Sequence, residues 1–262
     1  MKIEYQLKIL SFNYIKGVYS VMLLFCVSYA GGSANIYNGW KGLSEDVEVV
    51  PIELSGHGAR LKDSLYSNFD EAVEDVYSYI KEYLSTDTSE YALFGHSMGS
   101  WIMFEVANRL FNDVSVKRKP VHIFFSGNCS PECKDYDVDV SSMTDSEFKQ
   151  MIINYGGISK EVLAYPEILN FFLPILRADY TILAKYKATK KLDTFDCNVS
   201  VMNGVKDEFS NESLEAWSKY AGREFKINQF NDGHFFINSK SAEVFDSICD
   251  DLNVKTICER TA

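Results

Sequence analysis

The sequence predicts an α/β fold: a mostly parallel central sheet flanked by helices, with a helical insertion late in the chain. Three observations predict it. Apolar runs of strand length alternate with longer amphipathic patterns, the rhythm of βαβ units. Several of these runs are apolar at nearly every position, as strands covered on both faces are. Between about residues 140 and 190 the rhythm breaks, leaving helical periodicity and no strand pattern.

Taken in order, Val21 to Val27 reads as a strand buried on both faces, and Val47 to Leu54 as a second. Phe69 to Leu84 is an amphipathic helix, with Phe69, Ala72, Val73, Val76, Ile80 and Leu84 on one stripe. Asn68 with Glu71 three residues on has the form of a capping box. Tyr91 to Phe94 is the third strand, Trp101 to Phe111 a helix, and Val121 to Phe125 the fourth strand. The insertion holds helical stretches at Ser142 to Ile153, Lys160 to Leu163 and Glu167 to Tyr186. Placed over the carboxyl edge of a parallel sheet, where such folds bind ligands, it reads as a lid. Val199 to Met202 is a fifth strand and Glu224 to Ile227 a weaker sixth. The mostly polar stretch Asn253 to Ala262 reads as frayed. With no repeat and no linker, residues 1–262 read as one domain carrying its lid.

The net charge of −11 sets the surface against phosphate backbones, so nucleic acid is not an expected partner. The six cysteines fit no metal spacing, Cys129 and Cys133 forming a lone C-x3-C, and read as reduced thiols. The run Val18 to Ala30, followed by small residues, imitates a secretory leader. It is too short to span a bilayer, which takes about 20 apolar residues, and serves better as the first strand. The expectation is a soluble, cytoplasmic monomer with no membrane contact and no cofactor.

The chemistry centres on Gly95-His96-Ser97-Met98-Gly99, a G-x-S-x-G pentapeptide set between a strand and a helix. That context makes a sharp elbow that lifts a serine hydroxyl above the sheet. A serine needs a base to take its proton. Four histidines are available: His57, His96, His122 and His234. Nucleophiles on such elbows find their partners later in the chain, in the order Ser, acid, His. His234, after the last strand, fits that order. His96 lies inside the elbow, His122 in a buried strand, and His57 ahead of the serine. Asp207, just after the fifth strand, is the expected acid, with Glu208 as fallback. An oxyanion needs two backbone N–H donors. Met98, after the nucleophile, supplies one. The loop Tyr29-Ala30-Gly31-Gly32-Ser33 supplies the other, through Ala30 or alternatively Gly31.

These residues resemble the external, or type II, thioesterases that accompany polyketide synthases and nonribosomal peptide synthetases. The resemblance covers nearly the whole chain after about residue 20. It lies in Tyr29 to Ala34, the pentapeptide, Ser126-Gly127, the run Phe172 to Tyr180, Gly204 to Asp207, and Gly233 to Phe236. The run Phe172 to Tyr180 is the most specific, since generic esterases lack it. The resemblance implies an α/β-hydrolase fold, Ser97, Asp207 and His234 as triad, and the Ala30 and Met98 N–H groups as oxyanion hole. It also implies an acyl-loaded carrier protein as partner and an editing role in antibiotic biosynthesis. The chain departs from the family at Tyr29, often His; at Ser55-Gly56-His57, usually a Pro-Gly-Arg turn; and at Asn128-Cys129, often holding arginine.

The expected reaction is hydrolysis of acyl thioesters on the phosphopantetheine arm of the carrier, for editing or for product release. A general esterase or medium-chain fatty-acyl thioesterase is the alternative on the same residues. A binding module that has abandoned catalysis is a third reading, and the intact triad speaks against it. For docking, the run Lys117-Arg118-Lys119 is expected at the sheet edge away from the site. The cluster Lys185, Lys187, Lys190 and Lys191 is better placed, although lysines at a helix end first suggest a solvated terminus.

Overall fold

The computed structural model of the chain describes residues 21–134, 140–154, 165–188 and 194–261. Six strands, β1 (Met22–Val27), β2 (Val47–Ile52), β3 (Tyr91–His96), β4 (His122–Ser126), β5 (Asn198–Gly204) and β6 (Phe225–Phe230), form one sheet in the order β2-β1-β3-β4-β5-β6. Every pairing in it is parallel. The segments that follow the strands therefore gather along one edge, and the residues expected to react lie in them.

Both faces of the sheet are covered, which explains why the strands are apolar at successive positions. On one face, Leu23, Phe25, Val27, Leu93, Ile123, Phe125 and Val201 pack against α1 (Phe69–Thr86) and α2 (Met98–Asn112). On the other, Leu24, Cys26, Phe94, Phe124 and Met202 meet Trp40, the short α6 (Phe236–Ser239) and α7 (Ser241–Leu252). The stripe of α1 is buried from Phe69 to Ile80, with Leu84 half-buried at its end, each buried Val or Ile contributing about 1.5–3 kcal/mol. Asn68 caps this helix by accepting from the Glu71 N–H at 3.0 Å. The Glu71 carboxylate reaches back one residue further than a capping box requires, accepting from the Ser67 N–H at 2.7 Å.

The insertion contains α3 (Asp145–Asn154) and α4 (Pro166–Lys185). A small cluster of Val140, Phe148, Ile152 and Leu173 joins them. Lys134 closes the carboxyl end of α4, donating to the carbonyls of Leu183, Ala184 and Tyr186 at 2.8–2.9 Å. The expected helix at Lys160 to Leu163 lies outside the described residues, as do Lys190 and Lys191. Short α5 (Asn211–Glu215) follows β5.

One expectation changes. The stretch after Asn253 is anchored rather than frayed, and it ends in α8 (Ile257–Thr261). Thr256 is buried, the Ser44 hydroxyl donates to the Lys255 carbonyl at 2.6 Å, and the Ile257 N–H donates to the Leu43 carbonyl at 2.8 Å. Its polar composition hid this because the anchors are backbone groups, which composition does not report. The run Lys117-Arg118-Lys119 is partly structural: Arg118 donates to the carbonyls of Leu84, Asp87 and Ser89, and Lys119 to those of Leu110 and Asp113. Among the described residues no helix is long and apolar enough to cross a membrane. The six cysteines, all within the described residues, form no disulfide with one another.

Candidate active site

Ser97 stands between the end of β3 and the start of α2, with φ 55° and ψ −115°. A non-glycine residue held in this region stores about 1–3 kcal/mol of strain and persists only where its surroundings enforce it. Here they do. The Ser97 N–H donates to the Ser126 carbonyl at 2.7 Å, and the Asn128 amide donates to the Ser97 carbonyl at 3.0 Å. The flanking glycines are required by close approach. A Cβ on Gly95 would stand 2.1 Å from the Gly99 carbonyl oxygen, and one on Gly99 2.3 Å from that of Val27. The second distance also places the end of β1 directly against the elbow.

The turn Gly204 to Asp207, closed by the Asp207 N–H on the Gly204 carbonyl at 2.9 Å, carries the Asp207 carboxylate inward. His234 follows β6. Its Nδ1 lies 2.8 Å from Asp207 Oδ2 and its Nε2 3.0 Å from Ser97 Oγ. A carboxylate only accepts, so Nδ1 carries the proton and donates it, and Nε2 is left to accept from the serine hydroxyl. The Asp207 side chain is 3 % exposed and that of His234 19 %, so the acid is shielded while the imidazole stays reachable. Glu208, the fallback acid, is exposed, and its N–H donates to Asp207 Oδ1 at 2.8 Å.

The other three histidines are occupied elsewhere. His96 is fully buried, with Nδ1 2.8 Å from Ser126 Oγ, and burial together with the neighbouring His234 keeps it neutral well below the usual histidine range. His122 bonds to Ser200 Oγ at 2.8 Å and stacks on Phe124. Burial lowers it to about 4. His57 is 2 % exposed and has an unexpected partner: its Nε2 lies 2.8 Å from Oδ2 of Asp179 on α4.

The same Asp179 oxygen accepts the Gly31 N–H at 2.7 Å. Gly31 occupies the third position of a turn closed by the Gly32 N–H on the Tyr29 carbonyl at 2.8 Å, and its φ of +70° marks a type II turn. Glycine is needed there twice over, since a Cβ would also stand 2.3 Å from the Leu176 side chain. With Gly31 engaged, the Ala30 N–H is left without a hydrogen-bond acceptor among the described residues, as is the Met98 N–H. Of the two candidates in the loop, Gly31 is thus spoken for. Asp179 and His57 are the residues whose place in the site sequence reasoning missed. The available signal was a carboxylate on the buried stripe of α4, in register with Ile175, Ile182 and Tyr186.

Among the described residues no group of three His, Cys, Asp or Glu side chains is arranged to hold a metal ion. The thioesterase domain family matches residues 23–255. The chain belongs to the thioesterase family. It is a hydrolase acting on thioesters, with the α/β-hydrolase fold. Among its relatives, the gramicidin S biosynthesis protein GrsT of Aneurinibacillus migulanus is 31% identical, over 88% of this chain and 89% of that protein. The linear gramicidin dehydrogenase LgrE of Brevibacillus parabrevis is likewise 31% identical, over 85% and 84%. The activity in that second name finds no nucleotide-cradling G-x-G-x-x-G in the present sequence. The crystal structure of ClbQ from the colibactin NRPS/PKS pathway superposes with a TM-score of 0.81 at 28% identity, covering 89% of this chain and 98% of that one.

Proposed function

We propose that this thioesterase is of type II: it removes acyl groups from the phosphopantetheine thiol of carrier proteins in nonribosomal peptide or polyketide assembly. The hydrogen-bonded series Ser97, His234, Asp207 carries the reading. Its relatives and structural neighbours named for gramicidin S biosynthesis and an NRPS/PKS pathway supply the substrate class.

In this reading the Ser97 oxygen attacks the thioester carbonyl as its proton passes to His234 Nε2. Asp207 holds the imidazole and stabilises the imidazolium. The oxyanion accepts from the N–H groups of Ala30 and Met98. Collapse breaks the C–S bond, and His234 returns the proton to the departing thiolate. Water, deprotonated by His234, then attacks the acyl-serine, and the second collapse releases the carboxylic acid and restores Ser97. The two half-reactions, acyl transfer to Ser97 and hydrolysis of the acyl-serine, balance without a redox partner. Helices α3 and α4 act as the lid of a single domain, which works as a cytoplasmic monomer.

The test is a panel in which one acyl group is presented on a holo carrier protein and on free pantetheine. A type II enzyme shows the higher kcat/KM on the carrier. A general esterase or fatty-acyl thioesterase shows equal or better turnover of the free thioester or of an oxygen ester. Reversing Lys187 and Lys190 to Glu then asks whether the end of the lid docks the carrier: KM rises for the carrier substrate alone if it does.

A further inference from the structure

Asp179 is 2 % exposed and sits on an otherwise apolar helical stripe. A buried carboxylate is costly unless its charge is met, so its partners mark what the helix is built to hold. Among the described residues there are two, the Gly31 N–H at 2.7 Å and His57 Nε2 at 2.8 Å, both on Oδ2. The remaining contact of His57 settles its proton count. Its Nδ1 lies 2.9 Å from the Ser55 carbonyl oxygen, which can only accept, so Nδ1 must carry a proton. Nε2 faces a carboxylate oxygen that already accepts from an amide. Against an ionised Asp179 it donates as well, which makes the ring an imidazolium. Burial opposes that charge, while the Asp179 bond and charge, the Ser55 carbonyl and the charge of Glu53 outweigh it and hold His57 above its ordinary value.

The turn on the other side of this pair carries Ala30. Its central peptide can point its N–H either way in a bare turn, and type I and type II differ by that flip. The Asp179 bond fixes one of the two. The opposite flank of the loop is held separately, with Glu53 accepting from the Ala34 N–H at 2.8 Å and from the Ser33 hydroxyl at 3.0 Å.

We propose that Asp179, with the His57 imidazolium as its counter-charge, is a positioning residue for the reaction: it locks the Tyr29–Gly32 turn so that Ala30, and not Gly31, presents the free N–H at the elbow. The proposal rests on the reading of Ala30 as an oxyanion donor. It makes α4 part of the apparatus that stabilises the oxyanion, and not only a cover over it.

The experiment is a double-mutant cycle between Ala30→Pro and Asp179→Asn, read as kcat and KM on an acyl-pantetheine and as thermal midpoint. Proline suits the second position of a type II turn and replaces the N–H by a ring methylene. Ala30→Pro is expected to lower kcat about 10²–10³-fold, the loss seen when one oxyanion donor is removed. Asp179→Asn offers Oδ1 and an amide where one oxygen now meets two donors, and kcat is expected to fall roughly 10-fold or more with KM little changed. The double variant is expected to be no slower than Ala30→Pro alone, because the donor that Asp179 positions is already gone. Losses that multiply in the double variant overturn the positioning role and leave the donor assignment standing. An Asp179→Asn enzyme with wild-type kcat does the same. Wild-type turnover in Ala30→Pro overturns the donor assignment and the positioning role with it. If Asp179→Asn does not fold, His57→Gln in the same cycle gives the answer, since it retains a donor to Asp179 and removes the charge; multiplicative losses there also overturn the proposal.

Discussion

At the residue scale the site divides by what a linear pattern can carry. The proposed triad of Ser97, His234 and Asp207 could be picked out of the sequence because the fold brings both an elbow motif and a chain order; with His122 set aside in a buried strand, these leave His234, and the position just after the fifth strand offers a pair of adjacent acids. Within Asp207-Glu208 a turn favours the first as the proposed acid: the Gly204–Asp207 bond aims that carboxylate at His234 Nδ1, while its neighbour is exposed. Replacing Asp207 by Asn should therefore lower kcat about 10³–10⁴-fold with the thermal midpoint nearly unchanged, because the imidazole loses the partner that fixes its tautomer. Glu208→Gln should stay within about two-fold of wild type. Steady-state rates of the two variants side by side check this, and the reverse order of damage would move the acid by one residue. His57 and Asp179 were not legible as a pair. They are 122 positions apart, and no local periodicity links a loop histidine to a helix carboxylate.

At the scale of elements, the strands were readable because both sheet faces are covered, so composition alone marks them. Boundaries shifted most at β6, expected at Glu224 to Ile227 and found at Phe225–Phe230, an edge strand whose half-exposed residues dilute the apolar signal. Helix α4 was legible as an element, but what fastens it was not. Its carboxyl end depends on one lysine from the segment after β4, which satisfies three carbonyls that would otherwise stand free. Lys134→Met should weaken that terminus by about 1.5–3 kcal/mol, the usual worth of hydrogen bonds to a charged group. Amide exchange in Ile182–Tyr186 should then speed by about 10-fold or more, since 1.4 kcal/mol is a factor of ten, with the strands unaffected. Unchanged exchange at that end would show that packing of Tyr186 on Trp101 and Phe69 holds it unaided.

At the scale of the whole molecule, the buried histidines give stability a calculable pH dependence. His122 titrates near 4 in the folded chain against 6.5 when free. The unfolded chain thus takes up its proton first: the stability is intact above 6.5 and is lost as pH falls toward 4, by on the order of 3 kcal/mol. His57 has the opposite sign, since its raised value contributes stability below 6.5 that fades as pH climbs through it. Urea unfolding between pH 7 and 4.5 should show the acid-side slope, and His122→Gln should flatten it; an unchanged slope in that variant would remove His122 from the account. Everything else rests on the claim that Ser97 attacks a thioester carbonyl and holds the acyl group. The most direct measurement is rapid acid quench of the enzyme with an acyl-pantetheine, followed by peptide mass spectrometry. The account predicts an acyl mass on the peptide containing Ser97, in step with released thiol, and neither the mass nor turnover in Ser97→Ala. Thiol release by Ser97→Ala at the wild-type rate, with no acyl-peptide in either protein, would contradict it.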